Sequence, residues 1–219
     1  MYPLGFAGKA RSTLHVLCLG AHSDDIEVGC GGFVLDLISR YHAVDVDWVV
    51  FSAQGRREQE ARKSAHLFLR GVRRKRLTVA QFRDGFFPYQ GGEIKDVFER
   101  LKHEVSPDLV LTHYRDDRHQ DHRVVSDLTW NTFRDHWILE YEVPKYDGDL
   151  GAPNCFVPLE WKTCARKVRY LQAMFGTQRS KQWFNSETFL GLMRLRGIEC
   201  RAPDGYAEGF YTRKVVLKV

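Results

Sequence analysis

The stretch LGAHSDDIEVGCGG sets two adjacent carboxylates, Asp24 and Asp25, beside His22 and just ahead of Gly29, Gly31 and Gly32. Adjacent carboxylates raise each other's pKa unless positive charge sits among them, and a metal ion is the commonest source of that charge. A second polar cluster, THYRDDRHQDH, carries His113, Asp116, Asp117, His119, Asp121 and His122. Imidazole nitrogen and carboxylate oxygen together suit zinc or another divalent first-row metal. Two histidines with one carboxylate leave coordination positions open, as a catalytic site requires. Each cluster has a plainer reading when taken alone. Asp24 and Asp25 suit the start of a helix, and His119-x-x-His122 recurs by chance on helix faces. It is their joint occurrence that favours a metal site.

Both clusters fall at the ends of predicted strands. The nearly continuous apolar run at 15–21, HVLCLGA, predicts a strand buried on both faces. A helix is expected at 27–41, a strand at 44–52, a helix at 57–71 closed by Gly71, and a strand at 76–82. A helix at 92–105 stops before Pro107; a strand at 108–114 and a helix at 121–137 follow. This alternation predicts an α/β protein, a three-layer Rossmann-like fold with a mostly parallel central sheet. Ligands bind outside the carboxyl ends of such strands, so the two clusters meet if the first and fourth strands are neighbours. A further helix is expected at 161–175 and a closing strand at 213–219. The segment 142–158, EVPKYDGDLGAPNCFVP, is expected to be a loop over the site that helps choose the substrate. The 219 residues read as a single domain.

Composition narrows the partners. Apolar residues make up 43% and charged residues 28%, close to globular averages. No apolar run is long enough to span a bilayer and no secretory signal opens the chain, so a cytoplasmic protein is expected. Five scattered cysteines without a CxxC pair argue for reduced thiols and against a cysteine zinc knuckle. The net charge is +5, but residues 56–76 alone carry +7, leaving −2 for the rest. That stretch reads first as a solvated helix face followed by a charged turn, and next as a site for a phosphate-bearing substrate. Phe68 is the only Phe, Tyr or Trp within it, and so few aromatics speak against nucleic acid. A nucleotide-cofactor fold is disfavoured, because no GxGxxG is present and two aspartates stand where a phosphate would approach.

AHSDDIE with GCGG, and THYRDDRHQDH about a hundred residues on, resemble the PIG-L/LmbE-like family of metal-dependent de-N-acetylases. That family's motifs are Ala-His-Pro-Asp-Asp with a nearby Glu, and Asp-x-His-x-Asp-His. Asp117, His119, Asp121 and His122 match the second. Ser23 stands where the first has proline, which implies a retuned loop and an intact site. Weaker echoes are RREQEARKSA with Arg57 and Glu60, RDG with Asp84, and YAEGF with Glu208.

The resemblance implies His22, Asp25 and His122 as ligands of a zinc ion. It implies Asp24 as the general base that later protonates the leaving amine. His119 would face the oxyanion as an imidazolium, with Asp121 orienting it and raising its pKa. Arg57 and Asp84 would touch the sugar, His113 and Asp117 would stand behind the ligands, and Glu208 would support the site. The implied reaction removes the N-acetyl group of an N-acetylglucosamine conjugate, a small-molecule substrate, with self-association left open. Alternatives are a metal-dependent hydrolase of another amide or ester, and a non-catalytic binding protein of the same fold.

Overall fold

The computed structural model describes residues 13–216. Its centre is a seven-stranded sheet formed by β1 (Leu14–His22), β2 (Val44–Ser52), β3 (Arg74–Val79), β4 (Leu109–His113), β5 (Trp137–Tyr141), β6 (Cys155–Leu159) and β7 (Tyr206–Tyr211). The order is β3-β2-β1-β4-β5-β7-β6. The first five strands are mutually parallel, and β7 runs antiparallel to both β5 and β6. This is the expected Rossmann-like α/β architecture. The chain builds outward from β1 through β2 to β3, then crosses back to place β4 on the other side of β1. The reversal leaves a crevice between β1 and β4 at their carboxyl ends, where open α/β sheets bind ligands.

Apart from His15 at its open end, the run at 14–21 is apolar because β1 is covered on both faces. Leu14, Val16 and Cys18 enter one core, while Leu17, Leu19 and Ala21 enter the other. The first face is covered by α1 (Asp25–Arg40), α2 (Arg56–Phe68), α5 (Trp161–Met174) and α6 (Ser186–Cys200), the second by α3 (Gly91–Glu104) and α4 (Gln120–Thr132). Close packing of α1 explains its glycines. A β-carbon at Gly29 would overlap the Tyr141 ring, and one at Gly32 would come within 2.7 Å of Glu208 Oε1.

Helix α1 is broken at Cys30, where φ is −138° and ψ 16°. The Glu208 carboxylate accepts from the backbone N–H groups of Gly32 (2.8 Å) and Phe33 (2.6 Å) beyond the break. Lys167 Nζ donates to the carbonyl of Val28 before it and pairs with Glu208 at 2.6 Å. A buried ion pair thus satisfies the groups that the break exposes. Lys167→Met leaves the Glu208 charge without its cation, and is expected to lower stability by about 3–5 kcal/mol. The midpoint of urea unfolding reads this directly.

Several boundaries differ from expectation. The helix expected to 137 ends at Thr132, and residues 137–141 form β5. No Gly or Pro marks the junction in NTFRDHWILEY, so the helical period runs on into the strand. The expected loop at 142–158 ends in β6, an edge strand, the place where a sheet tolerates Pro158. Polar and apolar side chains are mixed around the whole of helix α6, with Arg196 buried and Leu195 and Ile198 exposed, so its sequence lacks amphipathic spacing. The expected closing strand is absent at 213–216, while 217–219 lie outside the described residues; the closing strand is β7. Among the described residues no helix is long and apolar enough to cross a membrane.

Candidate metal and active site

Strand β1 ends at His22, the turn Ser23-Asp24 follows, and Asp25 opens α1. Strand β4 ends at His113, and Asp121 and His122 stand in the first turn of α4. Because β1 and β4 are paired neighbours, the two polar clusters converge in the crevice.

Three atoms form a nearly equilateral triangle there. His22 Nδ1 lies 3.2 Å from His122 Nε2 and 3.3 Å from Asp25 Oδ2, and the third edge, His122 Nε2 to Asp25 Oδ2, is 3.4 Å. An ion bonded to tetrahedral ligands at about 2.0–2.1 Å holds them about 3.3 Å apart, so the triangle has the dimensions of one face of such a site. The opposite ring nitrogens set the tautomers. His122 Nδ1 is 2.9 Å from Asp117 Oδ2, which places its proton there and turns the Nε2 lone pair inward. Burial, reinforced by His113, pushes the pKa of His122 down to about 3, so the ring is neutral as a ligand must be. His22 Nε2 faces Asp84 Oδ1 at 3.0 Å and Asp121 Oδ2 at 3.2 Å. Burial opposes charge on His22, but Asp25, with Asp121 and Asp84, holds its pKa well above the ordinary value. These carboxylates demand positive charge, which a proton on Nδ1 or a divalent cation in its place supplies.

Three further groupings are within metal-binding reach: Asp25 with His113 and His122, His22 with His119 and His122, and His22 with Asp84, His119 and Asp121. His113 is the weaker candidate, since its Nε2 accepts from the Ala21 N–H at 2.9 Å and that lone pair is spent. His113 stacks on His122 with ring centroids 3.9 Å apart, and so packs behind a ligand. Asp116 is exposed and lies outside the cavity.

Asp24 is buried beside the triangle. Burial first, and then the charge of Asp25, push its pKa up to about 6, near the value a general base needs at neutral pH. Ser23 Oγ donates to Asp24 Oδ1 at 3.3 Å and receives the Arg57 Nε–H at 3.3 Å. The serine that replaces the family's proline therefore links Arg57 to Asp24. Arg57 also binds Asp84 Oδ2 through Nη1 at 2.6 Å, so the two residues expected to touch the sugar hold one another as well as His22.

The expected roles of His119 and Asp121 need correction. The carboxylate of Asp121 accepts from the backbone N–H groups of Gly85 (2.6 Å) and Phe87 (3.1 Å) and faces His22, not His119. Its backbone N–H donates to His119 Nδ1 at 3.3 Å, which leaves the His119 proton on Nε2. Burial, and then the charge of His22, lower the His119 pKa. Both the bond at Nδ1 and the lowered pKa favour the neutral ring over the expected imidazolium.

Other residues were not legible beforehand. Lys145 Nζ bridges Asp117 (3.0 Å) and Asp149 (2.5 Å), bracing the carboxylate that holds His122. Val143, Lys145, Tyr146 and Asp147 line the cavity from the 142–154 segment, and Lys181 and Trp183 line it from the α5–α6 connection. Glu60 anchors that connection by accepting from Thr177 N at 3.0 Å and Thr177 Oγ1 at 2.5 Å. The segment 142–158 is the loop expected over the site, but no motif singles out its lining residues, and nothing in the sequence marks the α5–α6 connection. Of the basic stretch at 56–76, Arg57 alone lines the cavity. Arg73, Arg74 and Arg76 pair with Asp45, Asp47 and Glu104 toward the amino-terminal ends of β2 and β3, away from the site. Glu208 lies behind α1, where it braces the helix that Asp25 opens.

A family model described as GlcNAc-PI de-N-acetylase (PIG-L) matches residues 17–133, a span containing the triangle, Asp24 and His119. Among solved structures, N,N'-diacetylchitobiose deacetylase from Pyrococcus horikoshii is similar with a TM-score of 0.68 and 21% identity, over 91% of this chain and 83% of that one. The zinc-inhibited form of teicoplanin deacetylase Orf2 gives 0.67 and 13%, over 90% and 97%. The 4-carboxy-2-hydroxymuconate hydratase GalB of Pseudomonas putida KT2440 gives 0.64 and 18%, over 94% and 99%. At these identities the likeness is one of fold, and a hydratase shares that fold with the deacetylases.

Proposed function

From the premise that this chain belongs to the PIG-L family, we propose that it is a zinc-dependent hydrolase that removes the N-acetyl group from an N-acetylglucosamine-type sugar conjugate. The products are acetate and a free amine. The observation that carries the reading is the His22–Asp25–His122 triangle with Asp24 at its side. His22, Asp25 and His122 would hold the zinc, which when bound would polarise a carbonyl and lower the pKa of water from about 15.7 to roughly 7.

The chain's own groups carry the protons. Asp24, ionised above about pH 6, takes the proton of the attacking water as its oxygen bonds to the acetamide carbon. The His119 Nε2–H donates to the carbonyl oxygen as negative charge grows there, the role of a neutral histidine electrophile. Asp24 then returns the proton to the nitrogen as the C–N bond breaks, and the carboxylate is restored. Arg57, fixed by Ser23 and Asp84, faces the cavity and directs its remaining donors at the sugar. The five cysteines are all free, in keeping with the cytoplasmic location we assign.

Dialysis against a chelator is expected to abolish acetate release from an N-acetylglucosamine derivative, and one equivalent of zinc to restore it. Acetate release untouched by chelation, in protein shown by elemental analysis to carry no metal, would sink the mechanism. Metal binding with no acetate from any acetamido sugar would shift the assignment to a hydrolase of another amide or ester.

A further inference from the structure

Ser23 stands in the turn between β1 and α1, at the position where the family's motif has proline. It is fully buried, and its hydroxyl is used twice. The oxygen accepts the Arg57 Nε–H at 3.3 Å, and the hydroxyl donates to Asp24 Oδ1 at 3.3 Å. Arg57 Nη1 continues to Asp84 Oδ2 at 2.6 Å, and Asp84 Oδ1 reaches His22 Nε2 at 3.0 Å. A closed loop of side-chain contacts therefore runs from Asp24 back to His22, and Ser23 is the link that joins Asp24 to it.

The backbone of Asp24 is already fixed, because its carbonyl accepts the Val28 N–H at 2.9 Å as α1 begins. The freedom that remains is in the side chain. The last torsion of an aspartate is broad and has no sharp rotamer, so a carboxylate without a partner turns readily and exchanges its two oxygens. The contacts to Asp24 distinguish those oxygens. Oδ1 receives Ser23 Oγ and lies 3.9 Å from Arg57 Nη2, whereas among the described residues no hydrogen bond or ion pair is made to Oδ2. Proline sets the backbone torsion of its own residue and carries no hydroxyl, so it cannot make this distinction.

We infer that Ser23 is a positioning residue that holds Asp24 through Oδ1, so that Oδ2 is the oxygen that exchanges the proton. This rests on the proposed deacetylase reading and adds to it the residue that aims the base. Oδ2 takes the proton as the water oxygen bonds to the acetamide carbon, and returns it to the nitrogen as the C–N bond breaks. Oδ1 keeps its bond to Ser23 throughout, and Ser23 itself neither gains nor loses a proton.

The test is a double-mutant cycle in the zinc-loaded protein. Acetate release is followed from N-acetylglucosamine, N,N'-diacetylchitobiose and an aryl N-acetylglucosaminide, with zinc affinity by equilibrium dialysis and stability by urea unfolding beside it. Ser23→Ala removes one oxygen atom, and Arg57 keeps Asp84 as its partner. It is expected to lower kcat roughly 10- to 100-fold, the range of a hydrogen bond to a charged group, with KM, zinc affinity and the urea midpoint unchanged. Added to Asp24→Asn, which carries no base to aim, it should lower kcat no further. An equal further loss in that background marks a merely structural serine and overturns the inference. Wild-type kcat in Ser23→Ala overturns it, and so does a loss that shows in KM, in zinc affinity or in the urea midpoint instead. Each of these leaves the deacetylase reading intact. Acetate from none of the three sugars with wild type overturns the deacetylase reading, and the positioning role falls with it.

Discussion

Asp24→Asn is expected to retain zinc and to lose about 100- to 10,000-fold in kcat, the usual contribution of a positioned acid–base group. Asparagine preserves the shape of the side chain and can still accept from Ser23 Oγ, so the loss isolates the proton-handling role. The pH profile supplies the second readout. Asp24 works as a carboxylate, and burial together with Asp25 pushes its pKa up to about 6. The kcat/KM of wild type should therefore rise with pH through about 6 and then level. A cation on the neighbouring residues moves this limb to lower pH and never to higher, because positive charge favours the ionised form. In Asp24→Asn the limb should vanish along with most of the rate. A variant retaining wild-type kcat with the limb unchanged would remove Asp24 from the mechanism.

His122→Ala is expected to fail differently, with zinc falling from about one per chain to near zero and acetate release falling with it. The substitution deletes one corner of the triangle, leaving His22 Nδ1 and Asp25 Oδ2 without their common neighbour. It should remain folded, because Asp117 keeps Lys145 as a partner at 3.0 Å and is not stranded. Asp117→Asn gives the graded counterpart. Weakening the partner of His122 Nδ1 should cost about 10- to 100-fold in zinc affinity while leaving the ligand set intact. Equilibrium dialysis against a competing chelator measures both variants, and circular dichroism separates loss of metal from loss of fold. If His122→Ala still bound a full equivalent of zinc, the ligand set would have to be drawn from His22, Asp25 and the neighbouring histidines instead.

The central sheet could be read from local pattern because its strands are buried on both faces and its helices on one. The apolar run of β1, the match of β2 to its expected limits, and the helix starts after Asp24 and near Gly91 all follow from that difference. The antiparallel edge could not be read in this way. The strand β5 follows α4 with no breaking residue between them, β6 contains a proline, and α6 lacks a polar face on which a period would show. Their conformations depend on neighbours far away in the chain, such as the pairing of β7 between β5 and β6.

The same division runs through the site. Residue type and spacing alone marked two metal-type clusters, His22 with Asp24 and Asp25, and the run from His113 to His122, because few other arrangements tolerate so many carboxylates and imidazoles together; the choice of ligands, base and oxyanion partner within them came from the family resemblance. Which atom faces which was beyond the sequence. Asp121 accepts from two backbone amides across the crevice, and this turns its carboxylate to His22 while only its backbone N–H meets His119. The mouth of the cavity, with Lys145, Tyr146 and Trp183 drawn from segments that carry no motif, exists only once the chain is folded. Chemistry is written in short runs because ligands must share a strand end or a helix turn. Orientation and access are decided by contacts between residues a hundred positions apart, and only the tertiary structure determines those.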